Sequence, residues 1–154
     1  MSSARRAAAG VALVLTATAA GVGGCGGGSS TGPELRALEQ DPLGSFVPPG
    51  GRLVRADASG QQSDGLLRKA TPATLRRYFA VPAGGEDAAL ADAAAAARAA
   101  GWQLGRPVPG LGTTGGRRLP SGRATLSLTI SSTAAGLPEG VRPPVLAIAL
   151  EHSR

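Results

Sequence analysis

The residues able to do chemistry are few, and most are single. The chain holds one cysteine, Cys25, and one histidine, His152. A lone thiol cannot close an intramolecular disulfide. One imidazole rules out a cluster of histidine ligands and would leave zinc dependent on carboxylates. A serine, histidine and acid set is recognised by geometry, and no local signal ties His152 to a serine, so it reads as a tail residue facing water. Asp57 and Asp64 flank a polar loop and could do acid-base work if a cleft joined them. Calcium binding of the EF-hand kind fails there, because Gln62 stands where that loop needs glycine.

Three glycine patterns match known spacings but lack their setting. Gly28-Ser29-Ser30-Thr31-Gly32 has the spacing of a nucleophile elbow, which needs a strand before the serine and a helix after it. Gly110-Leu111-Gly112-Thr113-Thr114-Gly115 and Gly21-Val22-Gly23-Gly24-Cys25-Gly26 have dinucleotide-binding spacing. Neither follows a strand and opens a helix, so no helix end awaits a pyrophosphate. No cofactor and no metal is assigned, and the chain is expected not to be an enzyme.

The start of the chain carries the clearest signal. MSSARR supplies positive charge, and Ala7 to Ala20 form an apolar stretch of signal-peptide length, shorter than the about 20 residues of a membrane span. Val22-Gly23-Gly24-Cys25 follows directly. This resembles the lipobox of bacterial lipoproteins: an aliphatic residue, two small ones, then cysteine. The resemblance implies cleavage before Cys25, with Val22, Gly23 and Gly24 recognised by the lipoprotein signal peptidase and Cys25 carrying diacylglyceryl. Two acyl chains suffice for stable anchoring, where one myristoyl is marginal. Ala4 and Ala8 around Arg5-Arg6 depart from a twin-arginine pattern, favouring the general secretory route.

Sixteen basic residues, less Arg5, Arg6 and ten acids, leave the mature chain at +4. That excess suits solubility, and an exported chain is not expected to meet nucleic acid. Arg68-Lys69, Arg76-Arg77 and Arg117-Arg118 could attract anionic head groups. Neighbours on a strand face opposite ways, however, so adjacency alone makes no patch, and a solvated surface is expected.

The elements that position these residues are read from period and breakers. Residues 25–32 form a Gly/Ser tether, and Pro33 to Gln40 a short helix capped from Thr31, with Leu35 and Leu38 on one face. Asp41 to Gly51 reads as a loop opening a domain over 41–154. Arg52 to Ala58 and Thr74 to Val81 read as strands. In the second, Arg77 shares a face with Leu75, Phe79 and Val81, which calls for an edge position or a bulge. Glu86 to Ala100 is a helix: alanine is the best helix former, and Glu86 and Asp87 suit its positive end. Leu90, Ala94 and Ala97 make its inner stripe, with Trp102 beyond the stop at Gly101. Arg106 to Gly122 reads as a loop. Ala124 to Ser131 and Val145 to Leu150 alternate as half-buried strands that should pair.

These elements predict an α+β domain: an antiparallel sheet of about four strands with one long Ala-rich helix on one face, in the order β-β-α-β-β. The run AAAAARAAGW followed by two alternating strands resembles small uncharacterised lipoproteins of actinobacteria. The expected protein is a lipid-anchored lipoprotein on the extracytoplasmic face of the cell membrane, presenting its domain to an envelope protein or cell-wall partner. The alternatives are a carrier of a lipid or other apolar ligand held beside Trp102, and an enzyme using Asp57, Asp64 or His152. Oligomeric state is not assigned by any feature.

Overall fold

The computed structural model describes residues 32–61 and 71–153. The helices are α1 (Pro33–Glu39), α2 (Pro42–Ser45) and α3 (Glu86–Ala99). The strands are β1 (Arg52–Ser59), β2 (Ala73–Ala80), β3 (Gln103–Leu104), β4 (Gly112–Leu119), β5 (Gly122–Ser131) and β6 (Val145–Ser153). All strands pair antiparallel in one sheet of order β1-β2-β6-β5-β4-β3. The expected four-strand sheet with a single long helix in the order β-β-α-β-β is therefore corrected. The sheet has six strands, the longest helix has 14 residues, and two shorter helices precede the sheet.

Of the two strands that were missed, β4 lies in the stretch Arg106 to Gly122 expected to be loop, and β3 lies just before it. β4 reads GTTGGRRL, with no apolar alternation. It is a strand because β5 supplies a complete ladder, from Gly112 opposite Thr129 to Leu119 opposite Gly122. Glycine is required at two of its positions. Gly112 has φ 141, and a Cβ there would run into the Leu128 carbonyl. At Gly115 a Cβ would lie 2.7 Å from the Gln103 carbonyl oxygen, so β3 can approach only bare backbone.

One face of the sheet carries the core. Leu75 and Phe79 of β2, Leu146, Ile148 and Leu150 of β6, and Ala124, Leu126, Leu128 and Ile130 of β5 are buried with Ala93 and Ala97 of α3. Leu35 and Leu38 of α1 join the same core. The alanine stripe lets α3 lie close on β5. Residue Gly32 stands at the N-cap of α1 without a side-chain bond, in place of the expected Thr31. The helix α3 ends in a Schellman motif: Gly101, at φ 83, donates to Arg98, and Trp102 donates to Ala97.

The opposite face bears Thr114, Thr125, Thr129, Arg76 and Glu151, all polar and without a helix over them. Strand β1 is an edge and is exposed along most of its length. Its register shifts between Leu53 and Arg55, and Arg52, Arg55 and Asp57 charge it, both of which discourage pairing with another chain. Arg77 resolves in neither expected way. Strand β2 is interior, and the guanidinium reaches the Phe46 carbonyl at 2.7 Å while stacking 4.9 Å from the Phe79 ring centroid. Burial lowers its pKa from the ordinary arginine value.

Candidate functional site

Among the described residues, Asp57 and His152, singled out from sequence, do not converge. Val22, Gly23, Gly24 and Cys25 lie outside the described residues, as do Asp64, Arg68 and Lys69. Asp57 is on the outer face of the edge strand, paired with Arg55 at 2.8 Å. Both are about 41% exposed, so this is an ordinary surface ion pair. The carboxylate hydrogen bond raises the Arg55 pKa further.

His152 is not a tail residue facing water. It is fully buried, because β6 continues to Ser153 with Ala124 on one side and Ala73 on the other. Its Nε2 lies 3.1 Å from the Ser121 hydroxyl, at the turn between β4 and β5. That is the spacing of a nucleophile and its base. Among the described residues there is no orienting third member: Nδ1 is buried and meets no hydrogen-bond partner.

A second polar group forms where α1, α3 and β4 meet. The Asp41 side chain is 2% exposed and serves three partners. Its Oδ1 accepts from the Leu43 amide at 2.9 Å, capping α2, and from Trp102 Nε1 at 3.4 Å. Its Oδ2 lies 3.1 Å from Arg117 Nη2. Arg117 also donates to the Ala100 carbonyl at 2.6 Å, satisfying the end of α3, and sits 5.4 Å from the Trp102 ring centroid. Arg117 and Asp41 thus stand directly against Trp102.

Beyond Arg117 the sheet edge opens. Strand β3 pairs only with Gly115 and Gly116, so it stops short of Arg117 and Arg118. A depression of about 500 Å³ forms there, lined by Gly101, Gln103, Gly116, Arg117, Arg118 and Arg123. Adjacent Arg117 and Arg118 do diverge, one toward the core and the other to the open face. The open-face partner is instead Arg123, directly across the hairpin. Compared with known proteins, this chain matches no family model, no curated protein and no solved structure.

A separate apolar groove of about 360 Å³ runs beside α3, lined chiefly by Leu90, Ala91, Ala94, Pro107 and Pro109. Sequence reasoning passed over Asp41, Gln103, Ser121 and Arg123. Two signals were present. Asp41 before Pro42 has the form of a helix cap followed by a first-turn proline. Pro120-Ser121 between Leu119 and Gly122 is a two-residue hairpin turn, which sets Arg118 opposite Arg123 once β4 is recognised.

Proposed function

We propose that this chain is an extracytoplasmic lipoprotein, cleaved before Cys25 and held to the cell membrane by a diacylglyceryl group on that thiol. The observation that carries the reading is Val22-Gly23-Gly24-Cys25, directly after the apolar stretch Ala7 to Ala20, in a chain with no other cysteine. The described domain begins at Gly32, close after the anchor residue, so it would stand just above the bilayer on the Gly/Ser tether.

The domain acts by binding, as a module for an envelope protein or cell-wall partner rather than as an enzyme. Among the described residues, the imidazole of the Ser121 and His152 pair has no acid at Nδ1, and Asp57 lies on the other face of the sheet, paired with Arg55. Intact-mass spectrometry of the protein from native membranes tests the anchor. The expected product starts at Cys25 with a diacylglyceryl mass, and Cys25→Ala leaves the membrane fraction. A product starting elsewhere without lipid, or membrane retention unchanged in the variant, overturns the reading.

A further inference from the structure

Arg118 and Arg123 are placed at a cost that their surroundings do not offset. They are directly opposite in the antiparallel pair of β4 and β5, both exposed, where like charges repel. On the same open face Arg55 lies against Asp57, and Arg76 lies 3.7 Å from Glu151. Among the described residues, no carboxylate is within ion-pair reach of Arg118 or Arg123.

The depression they flank is lined by Gly116, where the backbone carries no side chain. Gln103, directly opposite Gly116, adds an amide donor at the wall. Arg117 is 25% exposed at the back of the depression, with its guanidinium fixed by Asp41 and the Ala100 carbonyl. Three guanidiniums thus face one carboxylate, leaving an excess of about two positive charges.

We propose that this depression binds a phosphate monoester. Two uncompensated guanidiniums match its double charge, and their forked donors match its oxygens, whereas a single carboxylate would neutralise only one of them. The volume of about 500 Å³ exceeds what a bare phosphate fills, so the organic part of the ester sits over Gly116 and Gly101. The proposal is independent of the anchor, because it rests on residues of the folded domain alone.

The single tryptophan, Trp102, lies against Arg117 and reports on the site. The full chain in non-ionic detergent is titrated at low salt with glycerol 3-phosphate and, in parallel, with micelles doped with phosphatidic acid. Calorimetry gives affinity alongside the Trp102 emission. Saturable binding is expected, weakened about tenfold in Arg118→Gln and again in Arg123→Gln, as loss of a charge-assisted hydrogen bond implies. Arg142→Gln, an exposed arginine outside the site, should bind as the parent does. Equal affinity for both probes assigns a soluble ester, and binding to the doped micelles alone assigns a lipid head group. Both support the site. No saturable binding of either probe, or unchanged affinity in Arg123→Gln with its fold intact by circular dichroism, overturns it.

Discussion

Asp41 shows how much one carboxylate can hold when it is buried with its partners. It caps α2, accepts from Trp102 across a separation of 61 residues, and neutralises Arg117. Asp41→Ala removes all three at once and leaves Arg117 partly buried without its acid, for an expected loss of about 3 kcal/mol. Urea unfolding measures it, and a loss below about 1 kcal/mol would mean that the cluster is incidental. Asp41→Asn keeps an acceptor for Leu43 and should fall between the two. The cap was legible in Asp41-Pro42, but its other partners were not, since Trp102 and Arg117 reach it only through the packing of α3 and β4. His152 is the converse case. Leu146, Ile148, Leu150 and His152 share one period of two, so extending the alternation by a single step identifies the imidazole as inward-facing. Its polarity and its place near the chain end argued for water, and the neighbouring strands override both.

At the scale of elements, α3 and the β5 and β6 pair follow from propensity and alternation, while β3 and β4 do not. Strand β4 has glycine where a strand former would be expected, because its backbone must meet β5 at Gly112 and β3 at Gly115. Gly112→Ala should therefore destabilise the protein by more than about 2 kcal/mol, combining an unfavourable φ with a clash against the Leu128 carbonyl. Thermal unfolding checks this, and a melting temperature equal to that of the parent would show that the hairpin can open without loss. Arg77 marks another limit of local reading. A charged residue on the apolar face of a strand suggested an edge or a bulge, yet it is accommodated by the carbonyl of Phe46, a residue beyond α2 that the β2 sequence does not contain.

Across the whole molecule the helices cover one face of the sheet, and protection declines from its centre to its edges. Strands β6 and β5 pair on both sides and bear the core, whereas β1 pairs only with β2 and is exposed along most of its length. Hydrogen exchange followed by mass spectrometry should find the amides of β5 and β6 exchanging last and those of β1 among the first. Slow exchange throughout β1 would instead mean that another chain or segment covers it. The same layout leaves the arginine depression at the opposite end of the strand order, where β3 is too short to close the sheet.

By itself the sequence determined the position of the alanine helix, the apolar registers of β2, β5 and β6, and the leader pattern from which the Cys25 anchor is proposed. These follow from local rules: helix propensity, a period of two, and a motif in continuous residues. The number of strands, the burial of His152, the contact of Ser121 with it, and the pairing of Arg118 with Arg123 were decided only by tertiary structure. Each depends on which backbone ladder forms across a turn or between distant segments. A glycine-rich strand reveals nothing of its partner until the partner's hydrogen bonds are in place.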